Sequence, residues 1–105
     1  MKQSEIGPAV MAGEKVMVGE FRDWQCDERE STKKPGTFNV FLKTFVVIGR
    51  DTVEVTAFAE RGQRKADVKR PAWKVGDRVV IKFTAYSRTQ YGLRCDGQVE
   101  GLQPG

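Results

Sequence analysis

The sequence predicts an all-β protein, a small five-stranded barrel, on three observations. The stretch from Thr37 to Ala59 reads as two long strands joined by a tight turn at Gly49-Arg50-Asp51. Three further strand-like runs flank it, one before and two after. The single long connector, Glu60 to Gly76, has room for one short helix and no more. In the central hairpin Phe38, Val40, Leu42, Thr44, Val46 and Ile48 alternate with Asn39, Phe41, Lys43, Phe45 and Val47. Val53, Val55, Ala57 and Ala59 then alternate with Thr52, Glu54, Thr56 and Phe58. Successive side chains of a strand point to opposite faces, so this period of two marks a half-buried sheet.

Taken in order, residues 1–13 hold Gly7-Pro8 and no long apolar run, and read as a flexible arm ahead of a domain spanning 14–103. Glu14 to Gln25 is the first strand. Val16 and Val18 set its phase, Phe21 falls off it, and Gly19 or Glu20 is the place for a bulge that lets a sheet curl. Cys26 to Gly36 is polar without hydrophobic period and reads as a mobile loop. In the connector, Gln63 to Lys69 suits a short helix that must end before Pro71, because the residue before proline avoids the α region. Trp73 is expected to cap an open end of the barrel. Asp77 to Tyr86 is the fourth strand, with Val79, Ile81, Phe83 and Ala85 on one face and Arg78, Val80, Lys82, Thr84 and Tyr86 on the other. Ser87 to Gly92 is a hairpin tip. Leu93 to Val99 is the last strand, with Leu93, Cys95 and Val99 inward. Five strands with a helix-sized connector between the third and fourth match the OB-fold, a partly open Greek-key barrel.

The composition excludes several chemistries. There is no histidine, which removes imidazole acid–base catalysis and the commonest metal ligand. Cys26 and Cys95 form no C-x-x-C motif, and two cysteines alone do not close a zinc site. They read as free thiols of a reducing compartment, with a disulfide between them as the alternative. No signal peptide or membrane span is evident, so a cytoplasmic protein is expected. No nucleophile–base pair, P-loop or metal cluster is present, and neither an enzyme nor a cofactor is expected. The charge is distributed unevenly. Between Glu60 and Arg94 lie ten Lys and Arg against three acidic residues, an excess larger than the net +4 of the whole chain. Concentrated charge of one sign steers polyanions to a surface.

The outer face of the central hairpin is the unusual feature. A plain solvent face is polar, yet this one carries Phe41, Phe45 and Phe58 around Lys43. Rings beside a cation suit the bases and phosphates of single-stranded nucleic acid. A second core face or a dimer contact has the same signature. In an OB-fold the ligand crosses strands 2 and 3 and is gripped by the loops between strands 1 and 2 and strands 4 and 5. Trp24, Phe41, Phe45, Phe58 and Tyr91 are the stacking candidates. Arg22, Lys33, Lys34, Lys43, Arg88 and Arg94 are the phosphate candidates.

The segment VEVTAFAERG followed by WKVGDRVVIKFTAYSRTQYGLR resembles the bacterial single-stranded-DNA-binding pattern, in which a strand leads through a helix to a Lys-x-Gly-Asp turn, a fourth strand and a polar hairpin. In size and loop economy the chain is similar to the small single-stranded-DNA-binding proteins of filamentous phages. The resemblance covers about residues 14 to 103. It implies a coating protein for single-stranded DNA, working as a homodimer or larger assembly. The sequence ends at Leu102-Gln103-Pro104-Gly105, without the acidic-tipped tail of cellular members, which points to a phage or plasmid type. RNA as the ligand, and a protein-interaction module using the aromatic face, are the alternatives.

Overall fold

A computed structural model of the chain describes residues 1–60, 62–90 and 92–103. Five strands carry the fold: β1 Val16–Glu30, β2 Phe38–Ile48, β3 Asp51–Phe58, β4 Arg78–Thr89 and β5 Gly92–Gly101. They close a ring in the order β1-β2-β3-β5-β4, with β4 returning to β1. All contacts are antiparallel except β3–β5. The β2–β3 turn lies at Gly49-Arg50, where Gly49 takes φ 62°, a conformation that costs glycine nothing. The connector holds one 3-10 turn, Lys65–Asp67, shorter than the helix expected over Gln63 to Lys69.

The period-2 residues fill the barrel. Phe21, Val46, Val53, Val55, Val79, Ile81 and Cys95 form the core cluster. Trp73 caps it, with its ring edge-on to Phe21 at 5.6 Å. Burial pushes the Cys95 thiol up to about 11. Both cysteines are free.

Two bulges move side chains from the faces that strict alternation assigns them. In β1 the register slips between Phe21 and Asp23, leaving Arg22 as the extra residue. The inward residues of β1 are therefore Met17, Gly19 and Phe21 before the slip and Trp24 after it, opposite Ile81, Val79, Val46 and Thr44. Val16 and Val18 are on the other phase, so the alternation expected from them is reversed. Gly19 is not itself the bulge. It is where β1 passes between β4 and β2, and a Cβ there would run into Ile48 Cγ1 and the Val47 carbonyl oxygen, each at 2.8 Å. In β4 the slip falls between Phe83 and Ala85, opposite Gly97. Beyond it Tyr86 pairs with Cys95 and sits edge-on to Phe83 at 6.0 Å, on the side opposite to the one expected.

Three segments differ from the sequence reading. β1 continues through Glu30, so Asp27 and Glu28 are strand residues of a long β1–β2 wing rather than a loop. β4 continues to Thr89, which tightens the β4–β5 hairpin. Residues 3–11, read as part of a flexible arm, form helix α1, Gln3–Met11. It buries none of its residues, and its first residue and the chain just ahead of it are tied to the far end of the chain. The Gln3 N–H donates to the Gln103 carbonyl at 2.8 Å, and the Met1 ammonium donates to Glu100 at 3.1 Å. Val80, expected on an outer face, is fully buried between Val18 and Glu100 in the register, on the face where Met1 docks. Among the described residues no helix is long and apolar enough to cross a membrane.

Candidate nucleic-acid interface

Strand register builds the outer face of β1-β2-β3-β5 in rows. Asp27, Phe41 and Phe58 share one row. Gln25, Lys43, Thr56 and Asp96 form the next. Asp23, Phe45, Glu54 and Arg94 form the third. Rows two residues apart along a strand are separated by ~6.8 Å. Phe58 is 73% exposed, and its ring lies 5.0 Å from that of Phe41 at a tilt of 47°. Phe41 and Phe45 are half-buried. All three rings thus stand on the outer side of the barrel, with Lys43 between them.

Three cations on or beside this face have acidic partners. Lys43 Nζ is 3.0 Å from Asp27, Arg94 Nε is 3.3 Å from Glu54, and Arg70 is 3.9 Å from Asp23. The hydrogen bond from Lys43 holds the Asp27 carboxyl below the usual carboxylate range. Thr56 is only 7% exposed at the centre of the array. Its hydroxyl oxygen is buried and has no hydrogen-bond partner among the described residues. An unmatched buried hydroxyl costs about 1–3 kcal/mol.

Three hollows follow the rows. A cleft of about 540 Å³ between wing and connector is lined by Lys34, Phe38, Phe58, Gln63 and Arg64, among others. A pocket of about 80 Å³ lies over Thr56. A groove of about 400 Å³ is lined by Phe45, Thr52, Glu54, Leu93 and Arg94 with the β4–β5 tip. Their sequence runs from wing to β4–β5 hairpin across β2 and β3.

The wing is fastened to the connector. Arg64 grips Glu28 with Nε and Nη2, both at 2.9 Å, and the Lys65 N–H adds a third bond at 2.8 Å. The same guanidinium covers the Phe38 ring at 3.6 Å. These bonds, Arg64's first, pull the Glu28 carboxyl down to about 2.

The sequence candidates divide accordingly. Phe41, Lys43, Phe45, Phe58 and Arg94 come together on one face. Lys33 and Lys34 are exposed at the wing tip, and Arg22 is exposed at the β1 bulge. Trp24 is not on the face. The bulge turns it inward opposite Thr44, and it packs against the core cluster. Arg88 is exposed but lies opposite Leu93, so it projects from the other side of its hairpin than Arg94. Tyr91 lies outside the described residues. Sequence reasoning missed Thr56, Arg29 and the acids that pair with the cations. Thr56 was written among the outward residues, so its place was legible, but its burial depends on neighbours from β2 and β5.

The ring order, the short connector and the face across β2 and β3 are those of an OB-fold. Solved structures agree on the fold. The chain is similar to the second OB-fold domain of replication protein A from Methanococcus maripaludis, with 16% identity, a TM-score of 0.54, and 84% of this chain and 82% of that one covered. It is also similar to an OB domain from Thermoplasma acidophilum, with 12% identity, a TM-score of 0.50, and 96% and 84% covered. No family model and no curated protein sequence matches the chain.

Proposed function

We propose that this protein binds single-stranded DNA without catalysis, coating it with little sequence preference. One observation carries the reading: the Phe58 ring stands open to water against the half-buried Phe41, in the row next to Lys43, on the face an OB-fold uses for oligonucleotides. Base stacking on such rings is sequence-tolerant, because every base has a π-face. Lys33 and Lys34 at the wing tip, with Arg94 and the basic connector, would neutralise phosphates and release condensed counterions. Binding as a homodimer or larger assembly, as the family resemblance implies, belongs to the same proposal.

The test is a fluorescence-anisotropy titration with labelled oligo-dT, oligo-U and duplex DNA at two salt concentrations. The reading expects oligo-dT to bind best, with affinity falling steeply as salt rises. Preference for oligo-U would move the assignment to RNA. No binding to any of the three, or binding indifferent to salt, would move it to a protein-interaction face.

A further inference from the structure

We propose that the small pocket over Thr56 is the seat of a single phosphodiester group, fixing the register of the strand on the face. This rests on the single-stranded-DNA reading and deepens it. The pocket, about 80 Å³, is lined by Asp27, Arg29, Phe41, Lys43, Thr56 and Arg94. Its size excludes a whole nucleotide. Three of its lining residues are cations and one is acidic. Thr56 belongs to its lining, and the hydroxyl of that residue is buried beneath it and unpartnered among the described residues. Once the Thr56 side chain turns its hydroxyl toward the pocket, an anionic oxygen there satisfies it and accepts from Lys43 at the same time, and hydrogen bonds to an ionised acceptor are the strong ones.

The rows on either side supply the second argument. Phe41 and Phe58 lie one row to one side of Thr56, and Phe45 lies one row to the other. A strand whose bases rest on both ring sets carries its backbone across the row between them. Polar groups with cations belong at that crossing, and Thr56 and Lys43 are there.

The acids set the condition for occupancy. Asp27 holds Lys43, Glu54 holds Arg94, and Asp96 stands beside Thr56 in the register. In the free protein Lys43 and Arg94 are therefore already paired. A phosphodiester must take Lys43 from Asp27. Asp27 is therefore a competitor for the site, and neutralising it strengthens binding. A pocket that instead read the edge of a base would use Asp27 as an acceptor, and neutralising it would weaken binding.

The experiment compares wild type, Thr56→Val, Thr56→Ser, Asp27→Asn and Phe58→Ala for labelled oligo-dT across a salt series, with thermal melting of each free protein. Thr56→Val is expected to bind roughly tenfold more weakly, the scale of one hydrogen bond to a charged group. Its salt slope should be unchanged, because no charge is lost, and its melting temperature should be equal or higher, because an unmatched hydroxyl is removed. Thr56→Ser should bind like wild type, and Asp27→Asn should bind more tightly. Thr56→Val binding like wild type, or Asp27→Asn binding more weakly, overturns the seat. If Thr56→Val fails to fold, Asp27→Asn decides alone. Where Phe58→Ala weakens binding but Thr56→Val does not, only the seat falls. Where wild type does not bind oligo-dT, the functional reading falls with it.

Discussion

Two sets of aromatic rings divide this barrel, the inner one from β1 and the connector, the outer one from β2 and β3. Phe21, Trp24 and Trp73 pack on the core cluster. Phe41, Phe45 and Phe58 stand on the opposite side of the sheet, flanked by ion pairs rather than by aliphatic side chains. The inner rings replace water with Val46, Val53, Val79 and Ile81, and their burial stabilises the fold at roughly 25 cal/mol per Å² of apolar surface. The outer pair, Phe41 and Phe58, touch each other while Phe58 keeps most of its surface in water. That surface contributes little to folding and is free for a flat ligand. Chemically similar side chains thus do different work according to which side of the pleat they leave.

The contrast breaks first at Trp24. Trp24→Ala is expected to destabilise the protein by about 2 kcal/mol, below the 3–5 kcal/mol of a fully buried large ring because Trp24 is only partly buried, and to leave DNA affinity of the folded fraction close to wild type. Urea unfolding and anisotropy on the same sample measure both. A Trp24→Ala protein of unchanged stability and weakened binding would return Trp24 to the ligand face. Phe45→Ala is expected to do the converse, with about 1 kcal/mol lost from oligo-dT binding and a smaller loss of stability. Lys33→Ala and Lys34→Ala sharpen the electrostatic half of the account. Each should reduce the slope of log affinity against log salt by about one and leave melting unchanged.

The wing offers a pH test of small amplitude. The folded Glu28 carboxyl titrates near 2 against an ordinary 4.5. A depressed carboxylate contributes stability above its unfolded value, and the contribution is lost as pH falls through the folded one. Attachment of the wing to the connector should therefore be constant from neutral pH down to about 4.5 and fade between there and about 2. Amide exchange of the Lys65 N–H, which bonds to Glu28, reads this directly. Arg64→Ala should speed that exchange at pH 7.

Much of the fold was legible because hydrophobic alternation is local. The β2–β3 hairpin shows its two faces in the order of its residues, and Phe41, Lys43, Phe45 and Phe58 follow from that order alone. The bulges were not legible in place. Each inserts one residue that sequence does not mark, and each reverses everything after it, which is why Trp24 turned inward and why Tyr86 changed sides. The ion pairs were hidden for a different reason. Asp27 meets Lys43 across an antiparallel pair, and Glu54 meets Arg94 across the parallel β3–β5 contact, between residues far apart in the chain. The burial of Thr56 and Val80 has the same origin, in neighbours brought by topology. Helix α1 was missed because Gly7-Pro8 reads as a breaker, while the hydrogen bonds that fix its start come from the far end of the chain.

The central claim is that the open ring of Phe58 serves binding and not folding. Phe58→Ala, measured by oligo-dT anisotropy and by thermal melting on one preparation, tests it most directly. A loss of about 1–3 kcal/mol in binding is expected, with the melting temperature within about a degree or two of wild type. Full oligo-dT affinity in a Phe58→Ala protein, or a large drop in its melting temperature, would contradict it.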